Sequence, residues 1–300
     1  MDQHIMLHSA MGDSIVAFRH IIKFSEENKE NKINLIYNKN IDPFMKYWVW
    51  PDNITLMPLE QTVHDFDNLH SFPYKCENQQ IVEAFEKKQN NAHDFRPFFI
   101  SHNHSSLENN LKDILPDKAP FVHGIGSYIV LQPISTIHQA YSIRWIEEEL
   151  ETYEKFLINL LEHVHMHTPL SIVSVGTHDD AAKFPHFNSI NSSSRYFNLM
   201  GHLNIEDYCD VIKYSSALFG FNSSGTNIAN YIFNKPVVSW RLKWTLDPFA
   251  PMLDCNGKEI WKDLFDEFLN DDSKSIQRPW EQEMNFYSDF LKEKVLDEKQ

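Results

Sequence analysis

Residues 217–240 constrain the fold most, because they encode a strand, a polar turn, a helix and a second strand in direct succession. Residues 217–221 form an apolar run of strand length. Small and polar residues follow it: Asn222, Ser223, Ser224 and Gly225. Lys235 and Pro236 end the helix before the next apolar strand. This order predicts a parallel βαβ crossover whose polar turn lies at the carboxyl end of its first strand, where α/β sheets bind ligands.

The polar turn has two interpretations. Serine and asparagine cap helix N-termini, so the turn can be purely structural. The N–H groups and hydroxyls of a helix N-terminus also bind anions, and glycine lets a ligand approach the backbone. The ligand interpretation gains weight because the chain has only eight glycines, and seven flank predicted strand ends or helix starts. These seven are Gly12, Gly124, Gly126, Gly176, Gly201, Gly220 and Gly225.

The predicted helix has one apolar face, and its asparagines point elsewhere. The apolar face comprises Ile228, Ala229, Ile232 and Phe233, and the asparagines are Asn227, Asn230 and Asn234.

Composition bounds the class of protein. Three hundred residues with 42% hydrophobic content suit two domains. A net charge of −15 argues against nucleic acid or an anionic bilayer as an electrostatic partner. No membrane-spanning run or signal peptide is recognisable, so we expect a cytoplasmic protein. The three cysteines are widely spaced and lack a CxxC pair, so we interpret them as packing residues.

The N-terminal half begins as a second α/β unit. Residues 4–8 predict a strand, 9–14 a turn, 14–24 a helix and 32–37 a strand. Asp13 in that turn either caps the helix or acts as a general base at the mouth of the first sheet. Irregular structure is expected over 48–75, a helix over 79–89 and a strand over 96–101.

Two pairs of features in the middle of the chain admit more than one interpretation. His102 and His104 resemble a metal pair, but no third ligand is placed, so a polar or sugar-facing loop is favoured. Gly124 and Gly126 lack the third glycine of a dinucleotide fingerprint and precede their strand. We interpret Gly124 and Gly126 as part of a hinge between the two halves of the chain.

In the second half, residues 128–132 predict a strand, followed by a loop and a helix that ends near 163. Arg144 at the start of that helix either binds a phosphate or is a surface cation. The tract 163–167 contains three histidines, which fit a helix C-terminus better than a metal site. Residues 170–176 predict the next strand, and residues 177–180 are expected to cap the helix after it. That turn is a second candidate ligand loop. Further strands are expected at 196–200 and 236–240, and helices at 205–215, 260–269 and 280–291.

These motifs, in this order, resemble the heptosyltransferase-type glycosyltransferases (ADP-heptose:LPS heptosyltransferase-like, GT family 9-like). The similarity rests on a Gly-Asp-Ser turn after the first strand, a Gln-Pro loop before Arg144-Trp145, a Val-Gly strand end, a Gly-x-Leu loop and a polar-loop helix ending in Lys-Pro-Val-Val. It spans nearly the whole chain and is weakest over residues 50–122.

The resemblance implies an α/β protein of GT-B fold, with two Rossmann-like domains whose parallel sheets face a central cleft. Residues 1–122 are expected to form the acceptor-side domain and 123–275 the nucleotide-sugar domain. A C-terminal helix at 276–300 is expected to pack back on the first domain. The implied activity is inverting, metal-independent transfer of a heptose or other hexose-type sugar from a nucleoside diphosphate, with ADP favoured, to a glycan or glycolipid. No other cofactor is implied, and peripheral association with a membrane is compatible with it.

By the resemblance, Asp13 is the catalytic base. Asn222 and Ser223 take the position of an Asp-Thr or Asp-Ser pair, and Asn227 that of a histidine, so the donor sugar is left undetermined. The implied donor-binding residues are Arg144, Gly176, Thr177, His202, Asn222, Ser223, Ser224, Gly225, Thr226 and Asn227. The implied acceptor-side residues are Gly12, Ser14, His102 and His104.

Other functions stay open. A sugar-nucleotide epimerase would use the same two-domain cleft and form product without an acceptor. The asparagines at 222 and 227 favour a catalytically degenerate binding or scaffold protein, whereas retention of Asp13 and Arg144 opposes it. A dehydrogenase is disfavoured because no strand leads into a GxGxxG turn.

Overall fold

The computed structural model describes residues 2–7, 11–59, 90–94, 124–133, 147–184, 187, 195–221, 223–241, 261–263 and 280–296. The chain divides into two compact units, Met1–Leu115 and Pro116–Gln300. This division lies close to the junction expected at residue 122.

In the first unit, the described residues form four strands of a parallel sheet in the order β3-β2-β1-β4. Its strands are β1 (Gln3–Met6), β2 (Ile33–Asn38), β3 (Ile54–Leu59) and β4 (Ala92–Asp94). Between β1 and β2 runs helix α1 (Met11–Glu27), so Gly12 and Asp13 lie within its first turn and not in a preceding loop. A 3₁₀ turn (Lys39–Ile41) and the short helix α2 (Asp42–Met45) follow β2.

Strand β3 lies where the sequence predicts irregular structure. Only its first residue, Ile54, is buried, and the strand contains Pro58. Thr55 and Pro58 interrupt its apolar residues, so the sequence shows neither a continuous apolar run nor strict alternation. The strand is defined instead by its backbone pairing with β2, which runs in parallel over all six residues.

The second unit contains a six-stranded parallel sheet in the order β10-β9-β8-β5-β6-β7. Its strands are β5 (Tyr128–Gln132), β6 (Ser171–Ser174), β7 (Tyr196–Asn198), β8 (Ala217–Phe221), β9 (Val237–Arg241) and β10 (Trp261–Asp263). Its helices are α3 (Glu147–His167), α4 (His178–Lys183), α5 (Ile205–Tyr214), α6 (Ser224–Asn227) and α7 (Trp280–Leu291). Residues Ile228–Ile232 and Lys292–Leu296 extend the last two helices with π-helical turns.

The predicted helix at 260–269 is wrong for the residues described there. Trp261–Asp263 forms β10, which pairs in parallel with β9 through Trp261 and Ser239. The edge of the sheet provides backbone partners that a helical periodicity in the sequence does not reveal.

The C-terminal helix packs into the core of the second unit. Met284, Tyr287, Leu291 and Val295 belong to that buried cluster. The Tyr287 ring lies 5.2 Å from that of Phe219 on β8. The expectation that this segment also packs back on the first domain stays a prediction. Apolar stripes at helical spacing show that a helix is amphipathic but not which sheet it covers.

No helix in the part of the chain that the structure describes has the length and hydropathy needed to cross a membrane.

Candidate ligand site at the carboxyl edge of the second sheet

The strand order of the second sheet creates a ligand-binding position between β5 and β8. From β5 the chain builds β6 and β7 on one side, then crosses to build β8, β9 and β10 on the other. Helices that follow adjacent strands on opposite sides of such a crossing diverge, and α/β sheets bind ligands in the resulting crevice at the carboxyl ends of the strands. We call the residues at the carboxyl ends of β5 and β8 and the start of α6 the switch-point site.

Two glycines bring the polypeptide close to Gln132, the last residue of β5. Gln132 pairs with Gly220 of β8, and a Cβ at Gly220 would lie 2.5 Å from the Gln132 carbonyl oxygen. A Cβ at Gly225 would overlap Gln132 Oε1 and the Tyr208 hydroxyl. Both glycines are thus required for close approach, and the start of α6 lies directly against the Gln132 side chain.

Tyr208 of α5 connects these elements. Its hydroxyl donates a 2.8 Å hydrogen bond to Gln132 Oε1, and it is also hydrogen-bonded to the side chain of Ser224. Gln132 is only 6% exposed. Burial raises the pKa of the Tyr208 hydroxyl above its ordinary value. Tyr208 therefore remains a protonated hydrogen-bond donor over the whole physiological range.

The first turn of α6 is closed by Thr226. The Ser223 N–H donates to Thr226 Oγ1 at 2.9 Å, and that hydroxyl donates to the Ser223 carbonyl, also at 2.9 Å. Thr226 is fully buried, so its hydroxyl serves the turn. Ser223 Oγ is also buried but has no hydrogen-bond partner among the described residues. The Ser223 side chain occupies the N-cap position of this turn, and its unsatisfied oxygen makes it the candidate hydroxyl for a ligand.

The helix after this turn is α-helical for four residues and then π-helical. Phe233 N–H donates to the Ile228 carbonyl at 3.1 Å, five residues back. The predicted apolar face is confirmed for Ile228, Ala229 and Ile232, which are all buried. Asn227 and Asn230 are buried as well, so the helix is covered on more sides than its periodicity predicts. Single π-helical turns are frequent at functional sites.

A second pair of loops is fixed beside β6 and β7. The Thr177 N–H donates to Asp180 Oδ2 at 2.8 Å, and Asp180 N–H donates to Thr177 Oγ1 at 3.2 Å. This capping box confirms the predicted helix start. The Gly201 N–H donates to the Gly176 carbonyl at 2.9 Å, which joins the two loops. The next residue, His202, is exposed.

The remaining predicted site residues lie elsewhere. Gly12, Asp13 and Ser14 are in the first turn of α1, in the first unit. Ser14 is fully buried, and of Asp13 the structure describes only the backbone. The other four lie outside the described residues: His102, His104, Arg144 and Asn222. Within the described ranges, no three His, Cys, Asp or Glu side chains are grouped as metal ligands.

Sequence reasoning missed Gln132 and Tyr208. Gln132 is the polar last residue of an otherwise apolar strand and precedes Pro133, which marks a strand end but gives no partner. Tyr208 lies on an amphipathic helix, where a tyrosine is ordinarily a packing residue. Only the pairing of β5 with β8 brings the two side chains together.

The sequence matches no protein-family model and no curated protein. Solved structures nevertheless share its fold. The ADP-heptose LPS heptosyltransferase II of E. coli is similar with a TM-score of 0.61 at 10% identity, over 99% of this chain and 100% of that one. The E. coli heptosyltransferase WaaC, solved with ADP, gives a TM-score of 0.50 at 11% identity, over 98% and 99% of the two chains.

A glycosyltransferase family 9 protein from Veillonella parvula gives a TM-score of 0.50 at 9% identity, over 80% of this chain and 81% of that one. Identities this low establish the fold alone. The described α/β units with parallel sheets agree with that fold. The fold class predicted from the sequence, α/β of GT-B type and similar to the heptosyltransferases, is therefore confirmed.

Proposed function

We propose that this protein is a glycosyltransferase that moves a sugar from a nucleoside diphosphate to a hydroxyl of a glycan or glycolipid. The observation that carries the proposal is the switch-point site at the carboxyl edge of a doubly wound sheet. There the buried Ser223 hydroxyl, which has no hydrogen-bond partner in the described part of the chain, lies beside the first N–H groups of α6. Free N–H groups at a helix start favour negative charge. The shared fold with ADP-binding heptosyltransferases supports a nucleotide ligand.

Each residue of the site has a distinct role in this reaction. Ser223 Oγ and the N–H groups of Ser224 and Gly225 bind the diphosphate, and Arg144 adds a guanidinium to it. The loops at Gly176, Thr177 and His202 contact the nucleoside. As the acceptor oxygen forms its bond to the anomeric carbon, the bond from that carbon to the diphosphate breaks, and the Asp13 carboxylate accepts the hydroxyl proton. The leaving diphosphate takes the electron pair, and its charge is stabilised without a metal.

Nucleotide binding is the first test. The purified chain is titrated with ADP, GDP, UDP, CDP and dTDP in a thermal-shift assay, without metal and then with magnesium. A diphosphate at one hundred times its Kd adds about 2.7 kcal/mol to the free energy of unfolding. We expect one nucleotide, with ADP favoured, to raise Tm without magnesium. If none of the five changes Tm, the proposal is wrong.

Catalysis is tested separately. Asp13→Asn is expected to retain nucleotide affinity and to lose sugar transfer by roughly 100- to 10,000-fold, the contribution typical of a general base. Product from a sugar nucleotide without an acceptor would indicate epimerisation instead. Nucleotide binding with no conversion of any sugar nucleotide would favour the non-catalytic binding protein, to which Asn222 and Asn227 point.

A further inference from the structure

We propose that Tyr208 and Gln132 are a positioning pair for the donor diphosphate, and that they act through Ser224 and Gly225. This inference rests on the proposed function, since it names the residues that set the geometry of that same site. Neither residue is expected to touch the reacting atoms. Their task is to hold the first turn of α6 in the orientation that directs its N–H groups at the ligand.

The hydrogen bonds join three elements. Tyr208 on α5 donates to Gln132 Oε1 at the end of β5 and is bonded to Ser224 at the start of α6. A tyrosine hydroxyl has a single proton to donate. Because Gln132 receives that proton, the bond with Ser224 uses the Ser224 proton and the Tyr208 oxygen. The Ser224 hydroxyl is thereby directed at Tyr208, which ties the first residue of α6 to α5.

Steric fit reinforces the same contact. The Gln132 side chain and the Tyr208 hydroxyl occupy the space that any Cβ at residue 225 would need. The first turn of α6 therefore lies on the Gln132–Tyr208 pair without intervening atoms. Buried amide and hydroxyl groups with defined partners restrict a backbone more narrowly than apolar contacts do. A small displacement of this turn would misdirect the N–H groups that bind the diphosphate.

A second tyrosine provides a matched control. Tyr128 is the first residue of β5, and its buried hydroxyl donates to the Val211 carbonyl of α5 at 2.7 Å. It joins the same strand and the same helix as the Gln132–Tyr208 pair. It does so at the opposite end of the strand, away from the carboxyl edge. Tyr128→Phe and Tyr208→Phe thus each remove one hydroxyl between β5 and α5.

The experiment compares ADP and AMP binding to the wild type and to both variants by isothermal titration calorimetry, with Tm measured in parallel. If another base is selected in the nucleotide panel, its diphosphate and monophosphate replace this pair. We expect Tyr208→Phe to weaken ADP binding about tenfold. This is the scale of losing one hydrogen bond between an N–H group of α6 and the charged diphosphate. AMP lacks the diphosphate that the N–H groups of α6 are proposed to bind, so its affinity should change less than about threefold. Tyr128→Phe should lower Tm and leave both affinities unchanged.

Gln132→Met tests the other member of the pair, because methionine keeps the shape of the side chain without its amide. Its effect on ADP should match that of Tyr208→Phe, and the double variant should lose little more, since coupled residues are not additive. If Tyr208→Phe weakened ADP and AMP binding equally, or if Tyr128→Phe weakened ADP binding as much, the pair would have only a structural role. Either result would overturn this inference and leave the proposed function standing. A wild type that binds no nucleotide would overturn the proposed function and this inference together.

Discussion

Ser25 and Asn53 are hydrogen-bonded to each other in both directions. The Ser25 hydroxyl donates to Asn53 Oδ1 at 2.6 Å, and Asn53 Nδ2 donates to the Ser25 carbonyl at 3.2 Å. The same amide nitrogen lies 3.1 Å from the Asn31 carbonyl. Asn53 directly precedes β3, so its side chain attaches that strand to the C-terminal end of α1. Carbonyl groups at a helix end need such donors.

We therefore expect Asn53→Ala to reduce the free energy of unfolding by about 1–3 kcal/mol, because partly buried carbonyls lose their donor. Urea unfolding followed by circular dichroism measures the change. Asp52→Ala is the control: this neighbour is exposed and should stay within about 0.5 kcal/mol of the wild type. Equal stability of the two variants would contradict the attachment.

Removal of the Ser223 hydroxyl and removal of the Thr226 hydroxyl should change the free energy of unfolding by different amounts. Ser223→Ala removes an N-cap hydroxyl that is buried without a hydrogen-bond partner among the described residues. The free energy of unfolding should therefore change by no more than about 1 kcal/mol, while diphosphate affinity falls. Thr226→Val deletes the acceptor of the Ser223 N–H and should cost about 1–3 kcal/mol. Tm and nucleotide titration of both variants give the two readouts. If Ser223→Ala bound the diphosphate with unchanged affinity, the Ser223 hydroxyl would not be part of the ligand site.

Tyr287 should contribute far more to stability than its neighbour Phe286. Tyr287 is fully buried against Phe156 and Phe219, whereas Phe286 is 41% exposed. Tyr287→Ala should cost about 3–5 kcal/mol, the usual loss for a large buried aromatic side chain. Phe286→Ala should cost about 1 kcal/mol, because its side chain is already partly exposed and its ring contacts with Tyr287 and Phe290 contribute little beyond burial. Chemical denaturation of both variants decides whether the C-terminal helix belongs to this core.

Stability should fall on acidification because of buried histidines. The pKa of His163 lies below its usual 6.5 because burial disfavours the imidazolium; His167 and Lys292 lower it further, and Asp289 opposes them. The unfolded state therefore binds more protons than the folded state below about pH 6.5, so the free energy of unfolding decreases as pH falls through that range. The same direction holds for His4, His93 and His165.

His163→Leu isolates this contribution. Urea midpoints at pH 7 and pH 5 should differ less in the variant than in the wild type, because one buried group no longer takes up a proton. Met166→Leu serves as a control on the same helix, since Met166 is exposed and does not titrate. An equal loss of stability on acidification in all three proteins would rule out His163 as a source of it.

The sequence alone determined the elements that have strong local signals. The strand of residues 217–221, the capping box at Thr177 and the apolar face of Ile228, Ala229 and Ile232 follow from periodicity and cap chemistry, which act within a few residues. The order of strands and helices predicted α/β units with parallel crossovers, and the GT-B fold class followed from the resemblance of the motifs to the heptosyltransferase-type glycosyltransferases.

Tertiary structure decided what depends on partners distant in the chain. Strands β3 and β10 are specified by the sheet edges beside them, and the C-terminal helix by the core that receives Tyr287. Gln132 and Tyr208 lie 76 residues apart, and no local pattern marks them as a pair. They meet only because β5 and β8 are neighbours at the crossing of the second sheet, which also places Gly225 against them. The residues of the site that cap or turn the chain are therefore visible in the sequence, whereas those that orient it depend on strand order.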